Sequence, residues 1–156
     1  MLLESDILFA HIKETDWLKK TADQLLSAVE RGSLGTVYGS RETLHELHYL
    51  SSKVGWNPRE ALSKIASLTL IKNLFWPPTT TDVDLLAHSL LATYDISSVF
   101  DAYHAASCLL NDPERVMVST DDVYDKIKNL TRIEPKTVIA KLQSVGSNKL
   151  QPGLKS

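Results

Sequence analysis

Apolar residues fall along this chain in short runs separated by stripes of helical spacing, and the alternation predicts an α/β domain. Met1-Leu2-Leu3 reads as a buried strand cut short by Glu4-Ser5-Asp6, after which Ile7 to Ile12 resumes the apolar pattern. Trp17, Leu18, Ala22, Leu25, Leu26 and Val29 recur at helical spacing up to Gly32, and Thr15 is placed to cap a helix starting at Asp16. Gly35-Thr36-Val37-Tyr38-Gly39, glycine-bounded and β-branched, predicts a second strand. Leu44, Leu47, Tyr49 and Leu50 suit a helix ending near Gly55, and Asn57-Pro58 opens the next, through Arg59 to Ser67. Leu68 to Ile71 reads as a third strand.

Trp76-Pro77-Pro78 continues no regular ladder and marks a loop. Beyond it Val83, Leu86, Leu90 and Leu91 lie on a helical stripe from Asp82 to Tyr94, and a second helix, rich in small residues, runs from Val99 to Leu110 until Asn111-Asp112-Pro113 stops it. Arg115 to Ser119 is the clearest strand, and Leu130 to Ile133 is the last before Pro135. One domain over residues 1–142 is expected, followed by a flexible C-terminal tail over 143–156, where Gly146, Pro152 and Gly153 leave little to bury. The pattern predicts a central, mainly parallel sheet of about five strands flanked by helices.

Composition narrows the class. The 156 residues carry 17 Lys+Arg and 19 Asp+Glu, so the net charge is 17 − 19 = −2, and 43% are hydrophobic, as in one soluble domain. The only cysteine, Cys108, has no partner for an internal bridge and suits a reducing cytosol. The apolar runs fall far short of the roughly 20 residues that span a bilayer, and no signal-peptide pattern opens the chain, so a soluble cytoplasmic protein is expected. The charge balance argues against wide duplex binding through a basic face. It leaves room for a small site that reaches an anionic substrate through metal ions.

In open parallel sheets ligands bind outside the carboxyl ends of the strands, and the acids follow that rule. Glu4 and Asp6 lie where the first strand ends, Glu46 in the first turns of the helix after the second, Asp101 near a helix start, and Asp121 directly after the strand ending at Val118-Ser119. Clustered carboxylates repel unless something positive neutralises them. A hard divalent cation does so, because Mg²⁺ and Mn²⁺ take oxygen ligands from a few carboxylates, waters and phosphates.

Four segments carry a resemblance to a known family: LLESDILFA, SRETLHEL with Glu46, FDAYHAA with Asp101, and VMVSTDDVYDKI with Asp121. From Met1 to about Pro135 the chain resembles the PIN domain, FDAYHAA being the most specific piece. The resemblance implies a three-layer PIN-like fold and a Mg²⁺- or Mn²⁺-dependent ribonuclease, with Glu46, Asp101 and Asp121 as metal ligands or water-orienting acids. The best-known prokaryotic members are VapC-type toxins, so a separate antitoxin protein, a homodimer and an RNA substrate are the partners it implies. The family's first motif usually starts with aspartate, and here that place falls on Glu4. Either Glu4 binds the metal with one methylene more, or Asp6 supplies the ligand if the strand persists.

Plainer readings stand beside these. Thr43-x-x-Glu46, Ser98-x-x-Asp101 and Ser119-x-x-Asp122 match helix-capping boxes, in which the acid serves only the helix end. His45, His48 and His104 lie near the acids and read as packing or surface residues, with general-base catalysis as the sharper alternative. A PIN-like RNA- or protein-binding module with degraded catalysis is the competing function, motivated by Glu4. A phosphoacceptor receiver domain also gathers acids at strand ends, but FDAYHAA has no place in it.

Overall fold

Leu2 and Leu3 are both fully buried, and because successive strand side chains point to opposite faces, they enter two different cores. They form β1 (Leu2–Leu3), the middle of a sheet completed by β2 (Val37–Gly39), β3 (Leu74–Phe75), β4 (Val116–Val118) and β5 (Thr131–Ile133). The computed structural model describes residues 1–148, in which these strands run all parallel in the order β3-β2-β1-β4-β5. Seven helices accompany them: α1 (Ser5–Ile12), α2 (Lys19–Glu30), α3 (Glu42–Lys53), α4 (Pro58–Thr69), α5 (Thr81–Tyr94), α6 (Val99–Asn111) and α7 (Pro135–Asn148). A 3-10 turn spans Asp122–Lys126.

Leu2 stands in register with Met117 and packs with Val83, Ala87 and Leu90 of α5 and Ala102, Ala105 and Ala106 of α6. Leu3 stands in register with Val118 and packs with Ile7, Leu8, Leu25, Leu26, Leu47 and Leu68 on the other face. The result is the three-layer α/β arrangement that the sequence predicts. The three fully buried alanines let α6 lie close on the sheet. Cys108 belongs to the same core, and burial, with the charge of Asp112 second, pushes its thiol up to about 12. No helix of the described residues is long and apolar enough to cross a membrane.

Several boundaries differ from the sequence expectation, each for a local reason. Leu68 to Ile71 is not a strand: Ala61, Ile65 and Leu68 continue the helical spacing of α4, Leu70 caps it, and Asn73 at φ 65° turns the chain into β3. The helix expected from Asp16 begins at Lys19, because the Asp16 carboxylate accepts from the Leu18 N–H (2.8 Å) and from Lys13 Nζ (2.7 Å) ahead of it. Thr43 caps nothing, since α3 already starts at Glu42. The α7 helix passes Gln143 and carries on to Asn148, and residues 149–156 of the expected tail lie outside the described residues.

The first strand ends at Leu3. The Glu4 N–H still donates to the Val118 carbonyl (3.1 Å), but its own carboxylate then accepts from the Asp6 N–H (3.2 Å) and opens α1 as the N-cap. Glu4 is thus fixed from both sides at the strand's carboxyl end. At the end of β2, Gly39 lies against the Trp76 indole, where an added Cβ would come within 2.7 Å of Cζ3. Gly39→Ala is expected to cost about 1–3 kcal/mol by overpacking, read as a lower denaturant midpoint at unchanged slope. An unchanged midpoint would show that the indole moves aside without cost.

Candidate metal centre

The strand order makes the site. The chain runs from β1 outward to β2 and β3, then returns to the far side of β1 as β4, so the crevice between the carboxyl ends of β1 and β4 is the topological switch point. Glu4 leaves β1 there, and Ser119, Thr120 and Asp121 leave β4. α3 brings Glu46, and α6 brings Asp101 and His104, which lie three residues apart and share one helix face. Exposure rises from fully buried His104 through buried Glu4 to half-buried Glu46 and Asp101, and then to exposed Asp121.

The geometry is tightest at the floor. His104 Nε2 lies 2.8 Å from Glu46 Oε2 and 3.9 Å from Glu4 Oε1, and one oxygen of each acid together with a ring nitrogen lie within 4.8 Å of one another. The Ser5 hydroxyl donates to Glu4 Oε1 (2.5 Å) and the Ser119 hydroxyl to Glu4 Oε2 (3.3 Å). Asp101 stands at the start of α6, its N–H donating to the N-cap Ser98 Oγ (3.3 Å). Asp121 caps the 3-10 turn, accepting from the Val123 N–H (2.9 Å) while its own N–H donates to Ser119 Oγ (2.9 Å). Capping therefore pre-orients both acids. Arg132 holds the turn in place, forking onto Asp125 (2.8 and 2.9 Å), donating to the Ser119 carbonyl (3.2 Å) and pairing with Glu134.

Asp6 is placed differently. It lies in the first turn of α1, where its carboxylate accepts from both the N–H (2.9 Å) and the hydroxyl (2.5 Å) of Thr120. It thus ties α1 to the loop after β4. Glu42, outside the pocket, accepts from Thr79 Oγ1 (2.9 Å) and contacts His45 Nδ1 (2.8 Å).

The electrostatics are those of uncompensated acids. Burial, then the charge of Asp6 and, further out, that of Glu46 raise the Glu4 carboxyl well above its ordinary range. Burial lifts Asp101 to about 6, with Asp121 and Glu46 adding to the rise and His104 opposing it. Burial also works against ionisation of Glu46, yet the hydrogen bond and attraction of His104, helped by Ser5, hold its carboxyl below the usual range. Tyr124 is fully buried and its hydroxyl has no partner; burial and the charges of Glu4, Asp101, Glu46 and Asp121 raise it well above an ordinary tyrosine. Four carboxylates bearing on one another beside an orphaned hydroxyl form an oxygen-rich donor set that fits a hard divalent cation.

The structure thus gathers Glu4, Glu46, Asp101 and Asp121 into one electrostatic neighbourhood and ties Asp6 to Thr120 at its edge. The sequence reading took His104 for a packing or surface residue, with general-base catalysis as the alternative, and did not include Tyr124. His104 was legible as the residue one turn beyond Asp101, and Tyr124 as the aromatic one turn beyond Asp121, but nothing in the spacing shows that both point inward.

No family model matches the chain, and no curated protein does either. Among solved structures it is similar to Mycobacterium tuberculosis VapC20, described as a Sarcin-Ricin loop cleaving toxin, with a TM-score of 0.62 and 20% identity over 78% of this chain and 89% of that one. It is also similar to VapBC2 from Rickettsia felis, bound to a DNA fragment from their promoter, with a TM-score of 0.63 and 17% identity over 86% of this chain and 98% of that one. The chain therefore has the PIN-like fold that its sequence motifs imply.

Proposed function

We propose that the chain is a metal-dependent endoribonuclease and the toxin half of a toxin–antitoxin pair, hydrolysing RNA phosphodiesters. The observation that carries this reading is the gathering of Glu4, Glu46, Asp101 and Asp121 at the switch point between β1 and β4, with Glu4 and Asp101 both pushed toward protonation by burial and by neighbouring acids. Such a cluster costs folding free energy and is explained if it serves a cation. The likeness to VapC20, a Sarcin-Ricin loop cleaving toxin, supports RNA as the substrate, and the likeness to VapBC2 supports an antitoxin partner.

Glu4, Asp101 and Asp121 would hold Mg²⁺ or Mn²⁺, and Glu46 would orient the attacking water. Glu4 is preferred to Asp6 as the first ligand because one of its oxygens lies within 4.8 Å of donor atoms of Glu46 and His104, whereas Asp6 is turned to Thr120. When bound, the ion supplies a Lewis acid that offsets the acids' charge, admits a phosphodiester and eases ionisation of a water. Glu46, ionised and fixed by His104, would orient that water so that its oxygen meets phosphorus in line with the leaving ribose oxygen, the water's proton passing to solvent. Asp121, at the exposed rim, meets the RNA first, and buried Glu4 anchors the floor. The upstream fragment would end in a free 3′-hydroxyl and the downstream fragment would begin with a 5′-phosphate.

Purified protein given Mn²⁺ or Mg²⁺ is expected to cut single-stranded or structured RNA with those ends, and a chelator to stop it. A cyclic phosphate on the upstream end would indicate attack by the neighbouring ribose hydroxyl and contradict the assignment of Glu46. Metal binding without cleavage of any RNA would favour the binding-module reading.

A further inference from the structure

His104 is the deepest polar side chain of the acid pocket, and ribonuclease chemistry alone does not assign it a role. It is fully buried, with Nε2 2.8 Å from Glu46 Oε2 and 3.9 Å from Glu4 Oε1, and its Nδ1 is buried without a partner. So close an approach to two carboxylates fits two roles: a nitrogen ligand for the same ion, or a donor that holds a carboxylate in place.

The two roles need different tautomers. A ligating Nε2 has no proton to offer, so it gives Glu46 no hydrogen bond. The ring proton would then sit on Nδ1, a buried donor with no acceptor. Metal-bound histidines almost always give that second N–H to a carboxylate, a carbonyl or water. With a proton on Nε2 the 2.8 Å contact is a hydrogen bond; in the neutral ring bare Nδ1 is a buried acceptor, a smaller penalty than an orphaned N–H, and a second proton on Nδ1 would leave the donation to Glu46 in place and add charge attraction to it.

We infer that His104 is a positioning residue that donates from Nε2 to Glu46, fixes the orientation of that carboxylate, and leaves the divalent cation an all-oxygen ligand set. The inference rests on the reading of the pocket as a metal site and refines it. An oxygen-only set serves Mg²⁺ as well as Mn²⁺, whereas an imidazole ligand would draw the site toward zinc and the later transition metals. α6 then has two tasks one turn apart: Asp101 faces the ion, and His104 braces the acid opposite.

Three measurements on the full chain test this. Long-range proton–nitrogen correlation on the metal-free protein is expected to find the His104 proton on Nε2. Pulsed electron paramagnetic resonance of the Mn²⁺-loaded protein is expected to show no directly coordinated nitrogen. In single-turnover cleavage at saturating Mn²⁺ His104→Gln, whose amide still donates toward Glu46, should stay within a few-fold of wild type, while His104→Leu should slow cleavage roughly 10–100-fold with little change in Mn²⁺ affinity. In a Glu46→Gln background His104→Leu should add little further loss. A bare Nε2 with the proton on Nδ1 alone, nitrogen coupling to the bound Mn²⁺, or fully additive losses would overturn the inference while leaving the metal site standing. Wild-type protein that binds no Mn²⁺ would instead bring down the metal site, and this refinement with it. Should His104→Leu fail to fold, the tautomer and the coupling still decide.

Discussion

Asp101→Asn is expected to lower RNA cleavage by about 10²–10³-fold, the size of effect seen when one preorganised electrostatic group is removed from a reaction centre. Asparagine keeps the shape of the side chain, and the capping bond from the Asp101 N–H to Ser98 Oγ uses only backbone at this position. The helix start therefore survives the change. What is lost is a carboxylate that burial first, and then Asp121 and Glu46, already push toward protonation. Removing it relieves repulsion in the metal-free protein, so the thermal midpoint at neutral pH should stay level or rise while activity falls. Single-turnover cleavage and thermal unfolding on the same preparation check both halves. Cleavage within a few-fold of wild type would take Asp101 out of the site, and a collapsed midpoint would reduce its role to folding.

The second large effect links stability, pH and metal. Glu4 and Asp101 both have raised carboxyl groups in the folded state. A raised group contributes stability that is full below its unfolded pKa, about 4 for a carboxylate, and is lost as pH rises through its folded value, about 6 for Asp101. The metal-free chain should thus lose stability between about pH 4 and 7 on account of this pocket. Glu46, held low, works in the opposite sense and loses its contribution only on acidification. A divalent ion binds the ionised carboxylates, so it should restore the loss at pH 8 and do little at pH 5. At a metal concentration 100 times Kd the gain is about 2.7 kcal/mol, a rise in midpoint of roughly 5–10 °C for a chain of this size. Thermal scans with and without Mn²⁺ at the two pH values measure it. Equal shifts at both pH values would place the bound ion elsewhere.

Much of this was legible in the residues. Leu2-Leu3 and Val116-Met117-Val118 read as strands because strands buried on both faces are uniformly apolar, and the acids at their ends followed from the parallel topology. Leu68 to Ile71 misled because a short apolar run has no period of its own; its membership of α4 shows only when Ala61 and Ile65 are counted with it. The Ser98 cap was visible and forms, whereas the Ser119-x-x-Asp122 box does not: Asp121 itself caps the 3-10 turn, with its own N–H bonded to Ser119 Oγ. The division of labour between Glu4 and Asp6 was not legible. It depends on where β1 stops, and that is set by Glu4 bonding to the next N–H but one, together with Thr120 bonding to Asp6 across the sheet. His104 and Tyr124 were hidden for a related reason, since one turn of helix fixes which face they share with an acid but not what the tertiary fold lays over it.

Mn²⁺ titrated calorimetrically into the metal-free chain near neutral pH tests the central claim most directly. Saturable binding to the wild type that is lost or strongly weakened in Asp101→Asn, with the fold of both intact, is the result predicted from the gathering of these carboxylates. No binding by the wild type, or equal binding by both proteins, would contradict it.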